Sequence, residues 1–151
     1  MTDQQGLIFA YGNPSRGDDA LGPELLAALL ESGLQGVCFQ EDMQLQVEHV
    51  MDMQGVKRVV FVDADASCPA PFQWEKIQAE KDSSYTSHAM TPHALLYAYQ
   101  KVYGETPPIS YLLRIRGYDF ELGEPLTAMG RENLEHALAF VQEQVVNSIR
   151  P

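Results

Sequence analysis

Three stretches of this chain hold residues that can do chemistry together. The first is the loop Gly12-Asn13-Pro14-Ser15-Arg16-Gly17-Asp18-Asp19-Ala20-Leu21-Gly22, which sets two adjacent carboxylates just beyond an apolar run. A glycine-rich turn in such a place can cradle a phosphate. Neither the Walker spacing nor GxGxxG is present, however, and two acids repel a phosphate. Paired carboxylates without a nearby Lys suit a cation better. Their plainer role is to cap the helix that follows.

The second stretch is Lys57-Arg58-Val59-Val60-Phe61-Val62-Asp63, an apolar strand closed by an acid. The alternative for Asp63 is a carboxylate satisfied by neighbouring backbone N–H groups. Asp65, two residues on, is expected to open the next loop. The third is Thr91-Pro92-His93, which reads as an N-cap, a proline in the first helical position and an imidazole on the first turn. A neutral imidazole is a common ligand for transition metals, and the alternative for His93 is a surface residue. His88 lies five positions earlier and can reach the same space, whereas His49 and His136 fall in amphipathic segments and are expected to be solvated.

Two carboxylates and one imidazole, Asp19, Asp63 and His93, suit a divalent ion of borderline hardness such as nickel or zinc. There is no HExxH and no GxSxG elbow, and Cys68 precedes Pro69 rather than opening a helix. Serine and cysteine nucleophiles are therefore poorly supported.

The elements must bring these residues to one place. Strands are expected at Gly6–Tyr11, 37–40, 57–63, 72–78 (at an edge) and Ile109–Arg116. Helices are expected at 24–31 behind Pro23, at 44–53, at 93–103, and at 129–149, where apolar residues recur with helical period. Residues 82–88 read as a polar loop. Alternation of this kind implies a three-layer α/β sandwich, a twisted, mostly parallel five-stranded sheet with helices on both faces. Ligands in such sheets bind beyond the carboxyl ends of the strands, where all three stretches lie.

The whole chain of 151 residues is expected to form a single domain, 1–151. With 45% hydrophobic and 21% charged residues it has the make-up of a folded protein. Ten Lys and Arg against 21 Asp and Glu give a net charge of −11, which argues against nucleic acid and anionic membranes as partners. No apolar run approaches the roughly 20 residues of a membrane span. The polar start Met1-Thr2-Asp3-Gln4-Gln5 has no signal-peptide character, and the two cysteines, Cys38 and Cys68, form no CxxC. A cytoplasmic location with reduced thiols is expected, and a monomer, since no apolar stripe demands a partner.

In this order, the three motifs resemble the maturation endopeptidases of nickel–iron hydrogenases. Gly12-Asn13 followed by Asp18-Asp19-Ala20-Leu21-Gly22 looks like that family's Gly-Asn loop ending in an acidic pair and Gly. Val60-Phe61-Val62-Asp63-Ala64 looks like its apolar strand ending in Asp-Ala, and Thr91-Pro92-His93 like its Ser/Thr-Pro-His turn. The likeness covers nearly the whole chain. It implies cleavage of a C-terminal extension from a hydrogenase large-subunit precursor after nickel has been inserted, with the precursor supplying the nickel. Asp19, Asp63 and His93 would be the metal-recognition and catalytic residues.

Two departures stand out. The second acid of the first loop is Glu in many members and Asp19 here, with Asp18 as a possible substitute ligand. The turn after the second strand is Glu41-Asp42-Met43-Gln44-Leu45-Gln46 rather than a Gly-Gly-Thr type. That turn bears on substrate specificity. The rival readings are a non-catalytic nickel-binding chaperone of the same precursor and a small-molecule or nucleotide-binding α/β protein, against which the acidic first loop argues.

Overall fold

The computed structural model describes residues 6–81 and 90–145. The expected loop at 82–88, with His88, lies outside them. The chain runs β1 (Gly6–Tyr11), α1 (Leu21–Glu31), β2 (Val37–Asp42), β3 (Arg58–Asp65), β4 (Phe72–Ile77), α2 (Pro92–Tyr103), β5 (Ile109–Arg116) and α3 (Ala128–Phe140). Among the described residues the sheet has five strands in the order β2-β1-β3-β5-β4. All pairs are parallel except β4 with β5, so β4 lies at the edge, as expected, and is antiparallel.

The sheet is covered on both faces, as its apolar strands require. On one face, Ile8, Ala10, Val60, Val62, Leu113 and Ile115 pack with Leu21, Leu25 and Leu29 of α1 and Ala137 of α3. On the other, Leu7, Phe9, Val59, Phe61 and Leu112 meet Leu95, Leu96 and Tyr99 of α2 and Val50 and Met53 of the segment after β2. Leu21, Leu25 and Leu29 are fully buried, each contributing about 1.5–3 kcal/mol of transfer free energy. The expected three-layer α/β architecture is the one found. No helix among the described residues is long and apolar enough to cross a membrane.

Several boundaries differ from the expectation. Helix α1 begins at Leu21, before Pro23, and a 3-10 turn, Gly17–Ala20, leads into it. Pro23 is tolerated there because the first-turn N–H groups have no intrahelical acceptor to lose. The helix expected at 44–53 is instead a 3-10 helix, Val47–Met53, since Leu45 is drawn into the core ahead of it. Strand β2 runs two residues further than expected, to Asp42, in register with Tyr11. Strand β3 continues to Asp65, in register with Arg116, so Asp65 is a strand residue and not the start of a loop. Helix α3 ends at Phe140 and passes into a π-helical turn, Val141–Val145. For α2 the local signals were sufficient: the Thr91 hydroxyl accepts the Ala94 N–H at 3.1 Å, and Gly104 closes the helix at φ 65°.

Candidate active site

Strand order reverses between β1 and β3, because β1 connects outward to β2 on one side and β3 leads to β5 on the other. A cavity of about 350 Å³ opens at their carboxyl ends, where open α/β sheets bind ligands. Tyr11, Gly12, Asp19 and Asp63 form its floor. Met43, Gln44, Met90, Thr91 and Pro92 complete its wall.

The first loop is shaped to present Asp19. Gly12 has φ 149°, and a Cβ there would collide with the Asp19 carbonyl oxygen. The Gly12 N–H donates to the Asp42 carbonyl at 3.1 Å, which joins this loop to the end of β2. The Asn13 N–H donates to Asp19 Oδ2 at 2.7 Å and fixes the carboxylate. Gly22 lets α1 lie against the strand ends, since a Cβ would sit 3.0 Å from the Tyr11 carbonyl and 3.1 Å from that of Val62.

Asp18 does something else. It is wholly buried. Its carboxylate accepts N–H groups from Tyr118 at 2.7 Å, Thr127 at 2.8 Å and Asp119 at 3.4 Å, and the Thr127 hydroxyl at 2.8 Å. Gly117 and Gly130 crowd it, as any side chain there would strike it. With its lone pairs committed, Asp18 cannot substitute for Asp19 as a ligand, which corrects that expectation. It also does not cap its own helix; it ties the first loop to the segment leading into α3.

Asp63 extends from β3 into a setting poor in positive charge. Its carboxyl is pushed up to about 7, by burial first and then by the negative charges of Asp65 and Asp19. The Ala64 N–H and the Arg114 guanidinium oppose this without cancelling it. Arg114 is largely engaged elsewhere, 3.1 Å from Glu75 Oε1 and 3.6 Å from Asp65 Oδ2. For Asp65 burial works upward as well, but the Ser67 N–H and hydroxyl, Arg114 and Cys68 outweigh it and hold that carboxyl below its ordinary value. The Tyr11 phenol is raised further above its ordinary value by burial and then by Asp63, so it stays protonated as a donor. Sequence reasoning overlooked Tyr11, whose only signal was its place at the end of the first strand.

Asp19 and Asp63 therefore share one cavity. His93 stands on the first turn of α2, half-buried, one residue beyond the wall residue Pro92, and its carbonyl accepts the Glu80 N–H at 3.1 Å. Among the described residues no three His, Cys, Asp or Glu side chains are grouped closely enough to hold a metal ion. The structure thus assembles the two acids and leaves His93 beside them. His136 is exposed as expected, but His49 is not solvated: it is 7% exposed, packed edge-on against Phe9 at 4.7 Å. A second cavity of about 320 Å³ lies at the opposite end of the sheet, near Lys76, Gln100 and Ser110, and has no paired carboxylates.

No protein-family model matches the chain, and no curated protein matches it. Solved structures do. The hydrogenase maturating endopeptidase HybD from Escherichia coli superposes with a TM-score of 0.73 at 21% identity, over 95% of this chain and 93% of that one. The [NiFe] hydrogenase maturation protease HycI from Thermococcus kodakarensis gives 0.70 at 20%, over 93% and 91%. A hydrogenase 2 maturation peptidase from a Thaumarchaeota archaeon gives 0.67 at 16%, over 93% and 97%. The chain has the fold of these proteases along nearly its whole length.

Proposed function

We propose that this chain, built on the fold of the hydrogenase maturation proteases, is an endopeptidase that removes the C-terminal extension of a nickel–iron hydrogenase large-subunit precursor once nickel is in place. One observation carries the reading: Asp19 and Asp63 face a single cavity at the strand-order reversal with too little positive charge to balance them. A divalent ion supplies that charge. The nickel is part of the substrate and arrives with the precursor.

In this reading Asp19 and Asp63 give oxygen ligands, and His93 adds a nitrogen from the first turn of α2. That donor set suits a borderline ion. His93 meets the nickel only when the precursor is seated, which makes the ion a test of completed insertion. Anchoring the nickel fixes the scissile bond beside it and polarises its carbonyl. Tyr11, protonated at the cavity floor, is a donor available for the developing oxyanion. The net charge of −11 favours approach of a basic extension. In this reading the protein acts in the cytoplasm, as a monomer.

Intact-mass measurement tests this directly. The organism's own large-subunit precursor, with and without nickel, is incubated with the protein. Loss of a C-terminal fragment in the nickel-loaded sample alone is the expected result. A stable complex without cleavage would instead identify a chaperone, and cleavage independent of nickel would remove the ion from the mechanism.

A further inference from the structure

The geometry points to His49 as a positioning residue that holds the cavity wall formed by Met43 and Gln44, and so helps set which peptide the cavity accepts. The part concerning peptide rests on the endopeptidase reading; the part concerning the wall does not.

The imidazole is buried and engaged at both nitrogens. The Gln46 N–H donates to Nδ1 at 2.9 Å, and Nε2 lies 3.0 Å from Asp42 Oδ2. Since Nδ1 accepts, the neutral ring carries its proton on Nε2 and donates it to Asp42. The His49 N–H in turn donates to the Gln46 carbonyl at 2.9 Å. Asp42 continues the chain of contacts: its Oδ1 accepts the Met43 N–H at 2.7 Å, and its carbonyl accepts the Gly12 N–H at 3.1 Å. One ring therefore grips both ends of the turn from Asp42 to Gln46.

Between those ends stand Met43 and Gln44, both on the cavity. Met43 is 57% exposed, so packing does not hold it. Through Asp42 and Gly12 the same contacts reach the loop that presents Asp19. An apolar residue would fill the space beside Phe9 at less desolvation cost, but it would offer neither the acceptor for Gln46 nor the donor for Asp42.

The test uses the full chain and has two arms. In the first, ¹⁵N NMR of the free protein reads the His49 ring and the amides of Gly12, Met43, Gln44 and Gln46. The expectation is a ring protonated on Nε2 only. His49→Leu should displace those four amide resonances, and His49→Asn, which keeps an acceptor near Nδ1, should restore that of Gln46. A ring protonated on Nδ1, or amides unmoved in His49→Leu, overturns the inference. If His49→Leu does not fold, Asp42→Ala removes the Nε2 partner from a 40% exposed side chain and leaves the Gln46 N–H bonded to Nδ1; the Gly12 and Gln44 amides should then move, and their staying in place overturns the inference.

In the second arm, cleavage of nickel-loaded precursor is followed. The expected result is KM raised roughly tenfold with kcat held within about twofold, the pattern of lost uniform binding. A fall in kcat at unchanged KM overturns the positioning role. If the wild-type protein does not cleave, the endopeptidase reading falls, and the first arm alone decides whether His49 holds the wall.

Discussion

Asp18 and Thr127, 109 positions apart, are joined twice: the Thr127 N–H and hydroxyl each donate to the Asp18 carboxylate at 2.8 Å. The same threonine hydroxyl accepts the Gly130 N–H at 2.9 Å as the N-cap of α3. Asp19, the neighbour of Asp18, lines the cavity instead. Adjacent acids thus divide into one that holds the fold and one that lines the cavity.

That division predicts opposite phenotypes. Asp18→Ala strands several buried donors and should lower stability by about 3 kcal/mol or more. Asp19→Ala frees only the Asn13 N–H and should lie within about 1 kcal/mol of wild type. Urea denaturation of the two variants measures both. Equal losses would contradict the division.

Cleavage should depend on the other set. Asp19→Ala, Asp63→Ala and His93→Ala are each expected to reduce processing of nickel-loaded precursor by roughly 10²-fold or more, since even partners outside the ligand set are worth about 10–100-fold. His93→Ala should keep the native fold by circular dichroism. Normal processing by that variant would sink the assignment of His93.

Asp63 makes stability depend on pH. Its carboxyl is near 7 in the folded chain and near 3.8 otherwise. A raised folded value means that the stabilising contribution is complete below about 3.8 and is lost as pH climbs through 7. Asp63→Asn, which cannot ionise, should therefore gain on wild type with rising pH, by an order of 2–4 kcal/mol at pH 8 relative to pH 4. Thermal melts across that range give the result. A difference independent of pH would refute the charge argument.

Gly12 is expected to tolerate no side chain. Gly12→Ala places a methyl against the Asp19 carbonyl at a φ that L-residues avoid, and should destabilise the protein by about 3 kcal/mol or prevent folding. Gly104→Ala has the positive φ but open space around it, so it should lose only about 1 kcal/mol. Comparing the two melts separates collision from strain.

Much of the architecture was legible because its signals are local. Unbroken apolar runs such as 59–62 must be covered on both sides, which requires helices on both faces of the sheet. Thr91-Pro92 opens α2 through chemistry confined to one turn. The glycines and acids of the first loop, with Asp63 near the end of β3, pointed to the end of the sheet where Asp19 and Asp63 share a cavity. The boundaries at Leu21, Asp42 and Asp65 were missed because pairing with a neighbouring strand, or packing on it, extends an element beyond its own sequence pattern.

What the sequence by itself determined is which chemistry is available: two acids and an imidazole at the ends of elements that a parallel sheet gathers together. Only the tertiary structure decided which of the adjacent acids is free to act, that Tyr11 belongs to the cavity, and that His49 is buried in a clamp and not solvated. These depend on partners distant in the chain, Thr127 for Asp18, Asp63 for Tyr11 and Phe9 for His49. A carboxylate or imidazole takes its role from the donors, charges and exclusion of water around it, and those are set by the fold.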